Sequence, residues 1–178
     1  GQAMKINVVG GGPAGLYLAI LLKRARADME VHVHERNRAD DTFGFGVVFS
    51  DETLTHFREA DPESYGQIIE RFAYWEEIDT HYRGQVIRST GHGFCGIGRI
   101  ELLNILQQRA ESLGVQIEFQ NEISDLQELR NCDVLVGADG ANSAVRRAIF
   151  GPKVRPPYVF AYHEMVRSPA PGSNTGFD

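Results

Sequence analysis

The feature that most constrains this chain is the glycine-rich segment MKINVVGGGPAGLYLAILLKRA at residues 4–25. The stretch KINVV at 5–9 is typical of a short buried strand, and apolar residues recur at helical spacing after the glycines. Pro13 suits the first turn of a helix, where no backbone N–H is needed. A second strand, EVHVHE, is predicted at 30–35. This order predicts a βαβ unit with two parallel strands.

Three of the glycines, Gly10, Gly12 and Gly15, form the pattern G-x-G-x-x-G between the predicted strand and helix. In that context the first glycine permits a tight turn, the second lets a diphosphate approach the backbone, and the third lets helix and strand pack closely. The start of the helix offers free N–H groups and a partial positive charge to phosphates. The pattern therefore indicates a dinucleotide site in preference to a purely structural turn.

A carboxylate supports this interpretation. Glu35 ends the second predicted strand, 20 residues after Gly15, where an acid can accept hydrogen bonds from the ribose hydroxyls of an adenosine. A carboxylate at this position disfavours a 2′-phosphate, so NADP is a poor candidate for the pocket. These residues alone do not distinguish NAD from FAD as the bound cofactor.

A second strand-to-helix turn occurs in DVLVGADGANSAVRR at residues 133–147. Asp139 in this turn could bond ribitol hydroxyls or support the diphosphate, and Asn142 or Ser143 could cap the helix. A cofactor held from two strand ends favours the long FAD molecule. The alternative is a plain capped turn with no ligand.

The remaining elements follow from periodicity and from Gly and Pro positions. A loop is predicted at 37–49. Helices are predicted at 51–59, 62–72, 100–113 and 141–149, and strands at 74–82, 85–90, 115–119, 133–137 and from residue 158. Asp61 and Pro62 suit the N-cap and the first position of the second of these helices. Arg83-Gly84 is predicted to turn a hairpin. The order predicts one α/β nucleotide-binding domain with an inserted or adjoining antiparallel piece.

Composition narrows the partners of the chain. A net charge of −6 over 178 residues argues against nucleic acid. No apolar run approaches the ~20 residues of a membrane span. Cys95 and Cys132 lack ligand-spaced neighbours, so the sequence predicts two reduced thiols in a cytoplasmic protein and no zinc site. His32 and His34 alternate along a strand, and without a third ligand they indicate a strand face rather than a metal pair.

Several longer segments together resemble a known family. The segments GGGPAGLYLAILLK, HER at 34–36, RIELLNILQQRA and GADGANSAVRR resemble the class A flavoprotein monooxygenases of the p-hydroxybenzoate hydroxylase type. The segments RNRADDTFGFGVVFSDETL, ADPESY and GHGFCGIGR are similar to the salicylyl-CoA 5-hydroxylase and aminobenzoyl-CoA monooxygenase subgroup. The resemblance implies a Rossmann-like, parallel-sheet FAD domain over 4–157, with a hairpin at about 74–90. Residues 158–178 would begin a substrate domain or form an unstructured tail.

The resemblance also implies roles for individual residues. The residues that would hold the FAD diphosphate are Gly10, Gly12, Pro13, Ala14 and Gly15. Those that would contact the rest of FAD are Glu35 at the ribose, Arg36 and Ile123 near the adenine, Arg99 at the ribitol or phosphates, and Asp139 and Gly140. The loop from Gly44 to Val47 would run near the isoalloxazine ring.

The activity implied by the resemblance is hydroxylation of a small aromatic substrate, an aryl-CoA thioester among the candidates. NADH or NADPH would act as a transient reductant and O₂ as a substrate. The flavin performs this chemistry, so no catalytic side chain is predicted. Two alternatives remain open, namely an FAD- or NAD-dependent reductase or dehydrogenase of the same fold and a non-catalytic flavin-binding remnant. The family's downstream Gly-Asp motif and substrate domain are missing, which predicts a truncated chain.

Overall fold

The computed structural model describes residues 1–41, 45–91 and 93–153. Over these residues the strands are β1 (Lys5–Val9), β2 (Glu30–His34), β3 (Gly46–Ser50), β4 (Ala73–Trp75), β5 (Ile78–Tyr82), β6 (Gln85–Ser89), β7 (Phe94–Gly98), β8 (Gln116–Glu118) and β9 (Val134–Gly137). The α-helices are α1 (Pro13–Ala25), α2 (Asp51–Ala60), α3 (Pro62–Ile69), α4 (Arg99–Ser112) and α5 (Ala144–Phe150). A single 3-10 turn spans Leu126–Leu129.

A four-stranded parallel sheet in the order β8-β2-β1-β9 forms the centre of the fold. Val8 of β1 pairs with Val33 of β2, and both side chains are buried. The predicted βαβ unit and parallel sheet are therefore confirmed. Because the carboxyl ends of parallel strands lie at one edge, the turns after β1, β2 and β9 come together there.

Helices α1 and α4 cover this sheet and form the main core with it. Leu16 and Ile20 of α1 and Leu102 and Leu106 of α4 are almost completely buried and belong to one apolar cluster with the sheet. Apolar burial of this kind contributes roughly 1.5–3 kcal/mol for each large side chain. The core thus fixes the position of the glycine turn between β1 and α1.

A buried ion cluster ties three helices together. Asp61 caps α3 by accepting a hydrogen bond from the backbone N–H of Ser64 at 3.3 Å. Its carboxylate, which has no exposed surface, also accepts hydrogen bonds from Arg109 of α4 at 2.9 and 3.0 Å and from Arg24 of α1. Burial alone would raise the pKa of Asp61, but the bonds from Arg109, Ser64 and Arg24 outweigh it and bring the pKa from 3.8 to about 2. The predicted cap at Asp61 is confirmed.

A second, antiparallel sheet in the order β3-β7-β4 corrects two predictions. The predicted loop at 37–49 ends in strand β3, and β7 was not predicted at all. Both strands contain glycine, which is depleted in strands and masks their pattern. Gly46 pairs with Gly98, and a side chain on Gly46 would come within 2.7 Å of the Ile97 carbonyl oxygen.

The predicted strand at 74–82 is also wrong in extent, because it divides at Glu76 and Glu77. Residues 73–75 pair with β7, whereas β5 pairs with β6 as a separate two-stranded hairpin. The hairpin therefore spans 78–89 and not 74–90. Its turn is at Arg83 and Gly84, with φ values of 49° and 77°. Two positive φ values in succession are typical of a two-residue hairpin turn, so the predicted turn is confirmed.

Smaller differences concern the ends of elements. Strand β2 stops at His34, α3 stops at Ile69, and α5 starts at Ala144 because Ser143 caps it. The predicted strand from residue 158, the 158–178 segment and Gly44 lie outside the described residues. Within the described part of the chain, none of the helices has the length and apolar character to cross a membrane.

Candidate cofactor-binding site

A cleft of about 370 Å³ opens at the carboxyl edge of the parallel sheet. Its walls come from the turn after β1, the end of β2, the start of α4, the segment after β8 and the turn after β9. The predicted site residues that line it are Gly10, Gly12, Glu35, Arg36, Arg99, Ile123, Asp139 and Gly140. The structure thus brings residues from five separate segments to one site. Pro13, Ala14 and Gly15 lie in the first turn of α1 and are not among the lining residues.

Two of the motif glycines are required by packing. Gly10 has a φ of 110°, and a side chain on it would overlap the carbonyl oxygen of Ala138 in the turn after β9. A side chain on Gly15 would overlap the carbonyl oxygen of Gly10. These glycines therefore let the two turns and α1 meet without a gap.

Gly12 differs from Gly10 and Gly15 because its missing side chain leaves open space. A Cβ built on Gly12 meets only Arg99 Nη2, at 3.8 Å, among the described residues. Gly12 borders the cleft, so a ligand can approach this backbone directly. This is the arrangement expected where a diphosphate lies against a glycine turn.

The start of α1 and Arg99 give this part of the cleft a positive character. Helix α1, all of which is described, has no acidic residue in its first turn and no side-chain cap at Gly12, so its free N–H groups remain available to an anion. The Nε atom of Arg99 is buried and has no hydrogen-bond partner among the described residues. A buried donor without a partner, next to the glycine backbone at Gly12, is suited to bind a phosphate group.

We expect Arg99→Met to weaken FAD binding about 10- to 100-fold, because one or two charge-assisted hydrogen bonds to the cofactor are lost. The melting temperature without FAD should change little, since the buried Nε donates to no described atom. The control is Arg146→Met, because Arg146 Nε is also buried without a described partner but Arg146 does not line the cleft. Fluorescence titration with FAD measures both; equal affinities for the two variants would contradict the assignment.

Glu35 stands immediately after β2 and is held beside the glycine turn. Its Oε2 accepts a hydrogen bond from the backbone N–H of Gly11 at 3.3 Å, and its Oε1 accepts one from Arg36 N–H at 3.1 Å. A carboxylate has about four lone-pair positions, so two hydroxyl groups can still bind. The position and free capacity of Glu35 fit the 2′- and 3′-hydroxyls of a ribose.

Asp139 is largely occupied in capping α5. Its Oδ2 accepts hydrogen bonds from Ala144 N–H at 2.6 Å and Val145 N–H at 3.3 Å, and its Oδ1 accepts one from Ser143 Oγ. Ser143 Oγ in turn accepts a hydrogen bond from Arg146 N–H at 2.9 Å. These bonds agree with the alternative given in the sequence analysis, in which the turn after β9 serves only to cap a helix. A direct bond from Asp139 to FAD stays a prediction.

Sequence reasoning missed a group of residues that complete the cleft. These residues are Val9, His34, Asn37, Asn121, Glu122, Ala138, Ala141, Asn142, Ala144 and Arg147. Asn121 follows strand β8, which has only three residues and gives no clear period in the sequence. Its backbone N–H donates to the Glu35 carbonyl oxygen at 2.9 Å. Arg147 of α5 also borders the cleft, and it donates to the Asn142 carbonyl oxygen at 2.9 Å.

The two histidines that the sequence analysis considered as a metal pair, His32 and His34, both belong to β2. Among residues 1–41, 45–91 and 93–153, no three His, Cys, Asp or Glu side chains are placed to bind a metal ion. The ring of His34 is instead hydrogen-bonded to Asn7 and Asn121.

Comparison with known proteins identifies the cofactor of this chain. Residues 3–153 match the family of the FAD binding domain. The chain belongs to this family. FAD is therefore the cofactor, and the question that the glycine motif left open between NAD and FAD is settled in favour of FAD.

Two relatives of this FAD-binding chain are named as a hydroxylase and a monooxygenase. Over 152 residues it is 47% identical to salicyloyl-CoA 5-hydroxylase of a Streptomyces species, covering 84% of this chain and 29% of that protein. It is 31% identical to 3-hydroxy-4-methyl-anthranilyl-[aryl-carrier protein] 5-monooxygenase of Streptosporangium sibiricum, covering 88% of this chain and 46% of that protein. The chain thus spans less than half the length of these relatives.

A solved structure confirms the fold. The tetrameric form of 2-methyl-3-hydroxypyridine-5-carboxylic acid oxygenase superimposes with a TM-score of 0.72 and 26% identity, covering 84% of this chain and 43% of the other. The predicted α/β class, with its parallel sheet and neighbouring antiparallel strands, is confirmed as that of the p-hydroxybenzoate hydroxylase-like FAD domain.

Proposed function

We propose that this chain is the FAD-binding portion of a monooxygenase that hydroxylates an aromatic substrate with O₂ and NADH or NADPH. The observation that carries the proposal is the cleft at Gly12, Glu35 and Arg99, in a chain 47% identical to a salicyloyl-CoA 5-hydroxylase. We further propose that residues 4–157 form the FAD domain and that 158–178 begin a substrate domain or a tail.

In this proposal the residues of the chain bind and orient the cofactor. The backbone at Gly12, the start of α1 and Arg99 bind the diphosphate. Glu35 accepts hydrogen bonds from the ribose hydroxyls, and the adenine lies near Arg36 and Ile123. When bound, FAD supplies the electron transfer and the oxygen chemistry. The protein's contribution is position and exclusion of water, so no acid, base or nucleophile is assigned.

The names of the relatives support a substrate class for the proposed enzyme. One acts on salicyloyl-CoA and the other on an anthranilyl group attached to a carrier protein. Both names describe an aromatic acyl group joined to a carrier. We propose an aromatic acid carried in this way, with an aryl-CoA as the first substrate to test.

We also propose a cytoplasmic location. The two free cysteines, Cys95 and Cys132, support it.

The test measures NADH and NADPH oxidation, O₂ uptake and product formation in the complete monooxygenase that is proposed to contain this chain, loaded with FAD. We expect salicyloyl-CoA to stimulate NAD(P)H oxidation and to give a hydroxylated product, whereas free salicylate gives less. NAD(P)H oxidation without O₂-derived hydroxyl in the product would favour the reductase or dehydrogenase alternative. FAD binding without any NAD(P)H oxidation would favour the non-catalytic alternative.

A further inference from the structure

His34 is a buried histidine that borders the cofactor cleft and has no place in the contacts proposed above. It is the last residue of β2 and the residue before Glu35, and its exposed fraction is 6%. A polar ring at this depth needs hydrogen-bond partners for both nitrogens. Its partners therefore identify its protonation state.

Two asparagines hold the ring, one on each side. Asn7 Nδ2 donates to the Leu129 carbonyl oxygen at 3.2 Å, which leaves Asn7 Oδ1 as the acceptor 3.1 Å from His34 Nε2. Asn121 Nδ2 donates to Glu118 Oε2 at 2.7 Å and lies 3.0 Å from His34 Nδ1. An acceptor at Nε2 and a donor at Nδ1 are both satisfied only by a neutral ring with its proton on Nε2.

The Asn121 partner also belongs to the wall of the cleft. Its backbone N–H donates to the Glu35 carbonyl oxygen at 2.9 Å, and the next two residues, Glu122 and Ile123, line the cleft beside it. His34 thus fixes the side chain of the residue that starts this wall. Gln120, just before it, has a φ of 54°, so the chain turns sharply at this point.

We infer that His34 is a positioning residue for FAD: as the neutral Nε2–H tautomer it holds Asn121, and through Asn121 it holds residues 121–123 against the adenosine half of the cofactor. This inference rests on the proposed orientation of FAD, with the ribose at Glu35.

The charges around the ring set the direction of its titration. Glu118 of β8 lies 3.7 Å from Nδ1, the ring of His32 lies 6.1 Å away on the same strand, and β1 presents the neutral Asn7. The charged residues of the cleft are Glu35, Glu122, Asp139, Arg36, Arg99 and Arg147. Burial lowers the pKa of His34 below its ordinary 6.5, Glu118 opposes this, and His32 adds to it.

Because the pKa of His34 is lowered, the contact with Asn121 is lost on the acidic side of neutrality. The neutral ring, and with it the Asn121 contact, is fully present above the ordinary pKa and is lost as the pH falls through the lower pKa of the folded protein. Protonation turns Nδ1 into a donor that faces the donor of Asn121. The cationic ring then favours Glu118, whose Oε2 lies 3.7 Å from Nδ1. FAD affinity should therefore decline in mildly acidic solution.

The experiment combines an FAD titration from about pH 8 to about pH 5 with an NMR titration of the His34 ring in free and FAD-bound protein. In the wild type we expect the dissociation constant to rise by up to about tenfold for each pH unit below the pKa of the free protein. We expect the His34 pKa to be lower in the FAD complex than in the free protein. The NMR titration needs no variant, so it remains decisive if a variant misfolds.

Three single variants and one double variant complete the test. His34→Gln and Asn121→Ala should each weaken FAD binding about tenfold near pH 8, through the loss of one hydrogen bond in the cleft wall. Each should flatten the pH dependence, and the double variant should be little worse than either single one. His81→Gln, in the exposed hairpin strand β5, is the control and should keep the wild-type curve.

The outcomes separate this inference from the proposed function. Tight FAD binding with no acid-side decline, or with the same His34 pKa in free and bound protein, overturns the role of His34 and leaves the FAD site intact. Additive effects of His34→Gln and Asn121→Ala also overturn it. Absence of FAD binding near pH 8 overturns both.

Discussion

We expect Asp61→Ala to lower the free energy of unfolding by about 3–5 kcal/mol, the largest loss of stability for a single side chain outside the apolar core. Asp61 is completely buried, and its removal takes from Arg109, whose side chain is only 10% exposed, its two charge-assisted bonds to Asp61. Arg109 then keeps only its ion pair with the exposed Glu63, at 2.6 Å. The same change removes the cap of α3 and the partner of Arg24. Denaturant unfolding followed by circular dichroism measures the change.

The matched control is Asp79→Ala, because Asp79 also binds an arginine through two hydrogen bonds, of 2.7 and 2.8 Å. That pair lies on the exposed hairpin, where solvent screens the charges. Its loss should leave the unfolding midpoint almost unchanged. If Asp61→Ala behaves like Asp79→Ala, the buried cluster does not hold α1, α3 and α4 together.

Acid unfolding measures the contribution of Asp61 to stability independently. Its pKa is lowered to about 2 in the folded protein, so its contribution is complete above its ordinary pKa and is lost as the pH falls toward the folded value. In the wild type, part of the stability should disappear between about pH 4 and about pH 2. Asp61→Asn should lack this part of the pH dependence.

The second large effect concerns cofactor binding. We expect Gly12→Val to weaken FAD binding by at least about 100-fold, or nearly 3 kcal/mol, while the fold is kept. Gly12 has a φ of −75° and a ψ of −177°, which any residue can adopt. Its side chain would enter open space that the diphosphate is proposed to occupy. The effect should therefore appear in the FAD titration and not in the melting temperature.

The neighbouring glycine should give the opposite pattern. Gly15→Ala places a methyl group onto the Gly10 carbonyl oxygen, so we expect a loss of stability before any effect on binding can be resolved. Gly66→Ala is the control, since Gly66 in α3 has no atom within 4 Å of an added Cβ among the described residues. FAD binding of Gly12→Val equal to that of Gly66→Ala would show that the diphosphate lies elsewhere.

Local patterns in the sequence were sufficient for the part of the fold that surrounds the glycine turn. Strand β1, α1, β2 and α4 each carry a clear period, and the motif at Gly10, Gly12 and Gly15 has a fixed spacing. Strands β3 and β7 could not be found in this way. They are five residues long, contain glycine, and are defined by pairing with each other across more than forty residues of chain.

The lining of the cleft was predictable where it is formed by the residue directly after a strand, as at Glu35. It was not predictable where it depends on a contact between separate segments. The contacts of His34 with Asn7 and Asn121 depend on β8 lying beside β2, and Asp61 was predicted only as a cap because its two arginines come from other helices. At Asp139 the sequence predicted the position of a carboxylate correctly but not its contacts, because this carboxylate already accepts hydrogen bonds from the start of α5.

The proposed site binds the diphosphate of FAD at Gly12 and Arg99 and its adenosine at Glu35. The most direct measurement compares the affinities of the wild-type chain for FAD and for FMN by calorimetry, because FMN carries the same flavin without the adenosine half. We expect FAD to bind at least about 100-fold more tightly than FMN, because FMN lacks the adenosine and one of the two phosphates that these residues are proposed to bind. Equal affinities for FAD and FMN would contradict it.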